Sequence, residues 1–284
     1  MIFAKKLIRN CLICTSVYFI SLNVFADTTR APAVKVQPDV QVPTITNPCL
    51  GNFLNIIDRP SNADSVCNVA SGDVEVEIGY QYSNVIHAGY QQTYPNAEFR
   101  IGVPYNTEFS LQFPNFVHQS FYPHSGFAPS IVGIKHLATY NATMQTAVEA
   151  LITLPDGSTA FGNNGPGLAF NGILSYSLAS EINVTLQLGA STQTESSLYN
   201  GGRYNSINPD VVFTYSPTQR IDIYAELYGS SSTGAHQGSG FNVDGGLVFL
   251  VLPNFSVDFE GGQRISGQLG SFDHYIGTGL AFQV

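Results

Sequence analysis

Residues 220–229, RIDIYAELYG, alternate without a break between two kinds of side chain. Arg220, Asp222, Tyr224, Glu226 and Tyr228 fall on one side, and Ile221, Ile223, Ala225, Leu227 and Gly229 on the other. A period of two marks a β-strand with unlike faces. Only two settings suit such a strand. In a soluble sheet the apolar face meets a core and the charged face meets bulk water. In a membrane barrel the apolar face meets lipid and the charged face lines a wet lumen.

The same alternation recurs from Asp73 to the C-terminus. It predicts strands over 73–82, 97–103, 107–113, 130–140, 144–154, 169–178, 181–191, 209–215, 220–229, 242–252, 255–264 and 274–284. In 130–140 it puts His136 on the apolar side and Leu137 on the wet side. In 242–252 both faces turn apolar beyond Gly246. The connections are short at 104–106, 141–143, 179–180, 216–219 and 253–254. They are long at 83–96, 114–129, 155–168, 192–208, 230–241 and 265–273. Short periplasmic turns facing long outer loops characterise outer-membrane barrels. A soluble β-sandwich shares the alternation but not this asymmetry. The last six residues, GLAFQV, carry Leu280, Phe282 and Val284 on one face. They are similar to the signal read by the barrel-assembly machinery, although Val stands where Phe is usual. The expected fold is therefore all-β: a transmembrane antiparallel β-barrel of about twelve strands over 73–284, preceded by a disulfide-closed periplasmic segment.

Composition supports a lipid setting. The chain has 27 Gly, 15 Tyr and 19 Phe with only 11 Lys+Arg, which suits lipid-facing strands better than a soluble domain. Residues 1–26 read as a secretory signal: Lys5, Lys6 and Arg9, then an apolar run, then Val24-Phe25-Ala26. Taking those three bases from the 11 leaves eight against 20 Asp+Glu, which disfavours a nucleic-acid partner. Residues 27–48 hold Pro32, Pro38, Pro43 and Pro48 and read as an extended linker. Cys49 and Cys67 are the two cysteines past the leader, so a secreted chain should join them as a structural staple. The loop they close contains an apolar turn near Phe53–Ile57, which suits either a short helix at the barrel mouth or a small plug.

Several stretches resemble a family of outer-membrane transporters named for the meta-pathway of phenol degradation. They are DRPSNADSVCNVASGDVEVEIGYQYS (58–83), SIVGIKHLATY (130–140), EALITLPDG (149–157), RIDIYAELYG (220–229) and NVDGGLVFLVLPNFSVDFEGG (242–262). The resemblance implies a barrel in the Gram-negative outer membrane, a transport role for small, often apolar molecules, and no catalytic residues.

On the alternation alone, the wet face carries Glu75, Glu77, Glu98, Glu108, Glu149, Glu181, Asp210, Asp222, Glu226, Asp244, Asp258 and Glu260, with Arg100, Lys135, Arg220 and Arg264 as its bases. These are the expected pore-lining residues. Such an excess of acid favours cations in an open lumen; alternatively the charges form a ladder that fills a closed one. The expected function is a transporter or narrow porin-like channel for small solutes, apolar or cationic, with outer-membrane lipid and the assembly machinery as partners. A closed barrel acting through its outer loops is the alternative. A loop hydrolase is a third reading, resting only on His124-Ser125, which lacks an identifiable third member. The histidines fit no zinc spacing, and GNNGPG (162–167) lacks the Lys of a phosphate loop, so no cofactor is expected.

Overall fold

The computed structural model describes residues 47–284. The expected leader and residues 27–46 of the expected linker lie outside the described residues. After two single 3₁₀ turns, Pro48–Leu50 and Phe53–Asn55, the chain is strand and turn apart from two more 3₁₀ turns, Ser197–Tyr199 and Leu269–Ser271. The strands are β1 (Val74–Val85), β2 (Gly89–Tyr94), β3 (Glu98–Val103), β4 (Thr107–Gln112), β5 (Phe116–Gln119), β6 (Ser125–Phe127), β7 (Ile131–Tyr140) and β8 (Met144–Thr153). They continue as β9 (Gly167–Ala179), β10 (Ile182–Thr194), β11 (Arg203–Thr218), β12 (Ile221–Ser230), β13 (Gly240–Leu252), β14 (Phe255–Ser266) and β15 (Phe272–Gln283).

These fifteen pieces make a closed antiparallel barrel of 12 strands. The reason is proline. Pro95 separates β2 from β3, Pro114 separates β4 from β5, and Pro129 separates β6 from β7. Proline has no N–H to give a ladder, so each break costs local pairing while the strand itself goes on. One half of β1 pairs with β2, from Gln81↔Thr93 to Val85↔Gly89, and the other half pairs with β3, from Val74↔Ile101 to Glu77↔Glu98. Closure comes from β15 against β1, in register from Glu75↔Gln283 to Asn84↔His274. Val74 and Val284 exchange two backbone hydrogen bonds beside that seam, at 3.0 and 2.9 Å.

Two expected loops are therefore corrected. Segments 83–96 and 114–129 are largely strand, and their irregular tips shrink to 86–88 and 120–124. The prolines there interrupt a strand rather than end it.

Along the strands, exposure sorts with the alternation. Ile134, Phe170, Leu186, Phe213, Ile223, Leu227 and Phe259 are exposed on the outside, while Glu75, Arg100, Glu108, Lys135 and Glu226 are buried inside. His136 points outward and Leu137, 2% exposed, points inward. Near the proline breaks an aromatic strip crosses four strands. Tyr80, Tyr94, Phe116 and Phe127 follow one another with ring centroids 6.3, 5.5 and 5.3 Å apart, the first pair stacked and the next two edge-on. Such a girdle marks the headgroup level of a membrane barrel.

Leu186 and Thr185 test the assignment side by side. Leu186→Arg should destabilise the barrel by about 2–4 kcal/mol near the midplane, and Thr185→Arg by much less. Reversible denaturant unfolding in lipid vesicles measures both; equal losses would contradict the faces described.

Candidate functional site

Residues 47–72 lie inside the barrel and touch its wall nearly all the way round. We call them the plug. Their sequence explains why the wall carries so much charge. The 3₁₀ turns and the Cys49–Cys67 disulfide fold the plug back on itself. Asn47 and Asn52 cap the two turns by accepting from the Cys49 and Leu54 amides. A segment this short cannot pair its own backbone polar groups, and a buried unpaired N–H costs about 1–3 kcal/mol. Wall carboxylates supply the missing acceptors. Asp58 N and Arg59 N donate to the two oxygens of Glu77, each at 2.8 Å. Asn62 N and Ala63 N donate to the two oxygens of Glu226, at 2.9 and 2.8 Å. Val69 N donates to Glu108 at 2.7 Å, and Asp64 N to the Gln187 side-chain oxygen at 3.0 Å.

The centre of the site is Arg100 on β3, which is 0% exposed. Its guanidinium reaches Glu75 at 2.5 Å, Glu108 at 2.9 Å, Asp58 at 3.1 Å and Glu77 at 3.4 Å. It also donates to the plug carbonyls of Ile56 and Cys67. Lys135 on β7 joins the same group, with its Nζ 3.1 Å from Glu108 and 3.2 Å from Asp58. Burial pushes the Asp58 carboxyl up to about 7, with Arg100 and Lys135 pulling the other way. Burial also raises Asp64 well above the ordinary carboxylate range, helped by Glu149.

Arg59 holds the opposite flank. It meets Asp258 at 3.1 Å and Glu260 at 3.4 Å. Burial works against its charge, but Asp258 and Glu260 more than offset this and hold the guanidinium protonated. The group lies on a floor of glycine: Gly79 and Gly279 face each other across the β1–β15 seam, and a Cβ on either would collide with it. Gly102 similarly makes room for the plug backbone at Val69 and Ala70. Below the ion pairs, Phe53, Leu54, Ile56, Ile57, Val66 and Val69 pack on inward-facing Leu137, Ala147, Ile173, Val248, Leu250 and Ala281. This explains why both faces of 242–252 are apolar: one meets lipid and the other the plug.

Two cavities flank the plug. One of about 310 Å³ adjoins the short turns, with Glu181, Asp222 and Ser175 on its wall. The other, about 410 Å³, opens toward the long connections and is floored by Arg59, Pro60 and Asn62.

The family model described as "MetA-pathway of phenol degradation" matches residues 57–272, beginning inside the plug. The chain belongs to this family. No curated protein sequence matches it. The fold is similar to the crystal structure of an outer membrane channel from Pseudomonas putida F1, with a TM-score of 0.62 at 10% identity over 79% of this chain and 100% of that one. It is also similar to the KdgM porin (TM-score 0.51, 9% identity, 73% and 98% covered) and the NanC porin (0.51, 13%, 74% and 98%). The fold is that of Gram-negative outer-membrane barrels.

In this member of the family, the expected pore-lining residues divide by environment. Glu75, Glu77, Arg100, Glu108 and Lys135 form the central ion cluster with Asp58. Glu98 stands half-buried opposite Glu77. Glu149 faces Lys135 across the β7–β8 pair and accepts from Asn171 at 2.8 Å. Asp210 accepts from the Asn62 side chain at 2.8 Å, next to Glu226. Asp222 accepts from Ser216 at 2.6 Å, and Asp244 from Tyr275 at 2.5 Å. Asp258 and Glu260 hold Arg59, whereas Arg264 pairs with Asp273 at 2.6 Å, partly exposed. Glu181 and Arg220 occupy exposed turns, not strands.

Asp58, Arg59 and Asn62 were missed as site residues, because alternation says nothing about a segment with no period. Their signal was chemical: one arginine and several hydrogen-bonding side chains within the disulfide loop. The His124 ring packs edge-on against Tyr122, and among the described residues no acid side chain bonds to it. No group of three or more His, Cys, Asp or Glu is placed to hold a metal among the described residues.

Removing Arg100 leaves four carboxylates without their main cation. Arg100→Ala should cost about 3–5 kcal/mol of stability, read from the denaturant midpoint in detergent. Gly279→Val should displace Arg59 and expose the plug to added protease while the barrel stays folded. A wild-type midpoint for Arg100→Ala, or a protected plug in Gly279→Val, would contradict these contacts.

Proposed function

We propose that this protein is an outer-membrane channel for small solutes, constricted by its own N-terminal segment. The observation that carries the reading is the pair of cavities, about 310 and 410 Å³, with the plug between them. A solute entering one vestibule reaches the other only along the plug–wall boundary or after the plug shifts. Twelve strands suit this role, lying between small barrels filled by side chains and large barrels that leave an aqueous channel. The excess of acid on the wall favours cations over anions along any path that opens. The carboxylates are assigned to holding the plug and setting charge preference, and no residue is assigned to catalysis.

One feature favours a closed barrel acting through its outer connections: plug contacts reach wall residues from β1 to β14. Planar-bilayer recording separates the two readings. Wild-type protein should give small, cation-preferring steps, and an Arg59→Ala/Glu226→Gln variant should give larger ones. Silence from both, in samples whose gel mobility still shifts on boiling, would leave only the closed barrel.

A further inference from the structure

The vestibule above the plug has a chemistry that the constriction does not use. Its wall is dominated by side-chain amides and hydroxyls, among them Gln81, Ser83, Gln91, Thr93, Asn115 and Asn242. Amides and hydroxyls offer donors and acceptors without net charge. The charged groups at its floor are already engaged with one another, one arginine between two carboxylates, Arg59 with Asp258 and Glu260. Two oxygens there have no partner among the described residues. Asn242 is 0% exposed and donates from Nδ2 to the Leu269 carbonyl at 3.2 Å, yet its Oδ1 accepts from none of the described residues. Asn115 Oδ1 is buried in the same state. Each is an acceptor waiting for a donor.

One side of the vestibule is aromatic. Tyr228, Tyr275 and Phe272 line it, and the Phe272 and Tyr275 rings meet edge-on with centroids 4.9 Å apart. The Tyr275 hydroxyl is committed to Asp244, which fixes its ring. Flat apolar surface beside unpaired amide oxygens suits a ring with C–H faces and O–H edges. A purely apolar solute would leave both asparagine oxygens unpaired. An anion would meet Glu260, and a cation would have to compete with Arg59, which already holds that carboxylate at 3.4 Å. The volume, about 410 Å³, lies within the roughly 300–1,000 Å³ typical of small-molecule sites.

We propose that the outer vestibule is a binding site for a small, uncharged, polyhydroxylated solute of sugar-ring size, held by Asn242 and Asn115 against Tyr228 and Tyr275. This deepens the channel reading and rests on it for the solute's onward passage, but binding itself requires no conduction. Saturation-transfer NMR on the full chain in a sugar-free detergent tests it, with D-glucose and phenol as probes. Wild-type protein should transfer saturation to glucose ring protons more strongly than to phenol. Asn242→Leu and Asn115→Leu should each weaken glucose binding about five-fold, with the heat-dependent gel shift retained as a check on folding. No transfer to glucose, equal transfer in folded variants, or preference for phenol would each overturn the proposal and leave water as the partner of these oxygens. A bilayer recording that is silent while glucose binds would count against the channel, not against the site.

Discussion

The structure depends on backbone N–H groups of a short segment finding carboxylate oxygens on the wall around them. Glu77, Glu108 and Glu226 together receive five plug amides. A hydrogen bond to a charged acceptor is worth about 1.5–3 kcal/mol, more than a neutral one. The arrangement also solves a problem for the wall. Inward-facing carboxylates in a narrow lumen would repel one another and lose hydration. The plug supplies donors, two basic wall residues supply counter-charge, and Arg59 arrives on the plug itself. Neither component is well satisfied without the other.

The wall also gives way sterically where the plug comes closest. Gly79 and Gly279 admit the Arg59 guanidinium, and Gly102 admits the plug backbone. These residues sit within regular strands, where glycine weakens the ladder and offers nothing to pack. Their presence follows from what lies against them. The apolar inward patch around Leu137, Val248 and Leu250 has the same explanation. Side chains that would be misplaced in a water-filled pore belong beneath a packed segment.

Much of the barrel was legible because lipid and lumen impose opposite demands on successive residues. The inversion at His136 and Leu137, odd for a pore, is read directly from the period and is present in the structure. Two things escaped. The pattern assigns 83–96 and 114–129, which hold Pro95, Pro114 and Pro129, to loops, although in a barrel the neighbouring strands keep the backbone extended across such a break. The acidic face suits either a lining for cations or a ladder that fills the lumen, and alternation does not choose, because it tells which way a side chain points and not what stands opposite. The plug has no periodicity. Its position comes from long-range donors meeting acceptors, such as Asn62 and Glu226, which are 164 residues apart.

Hydrogen exchange followed residue by residue in the purified full chain tests this account most directly. If the wall carboxylates hold the plug, the amides of Asp58, Arg59, Asn62, Ala63 and Val69 exchange as slowly as strand amides of β12. Substituting Gln for Glu226 should then release Asn62 and Ala63 first. If those five amides exchange as freely as the turn at 219–220 while the barrel stays protected, the lumen does not hold the segment and the account fails.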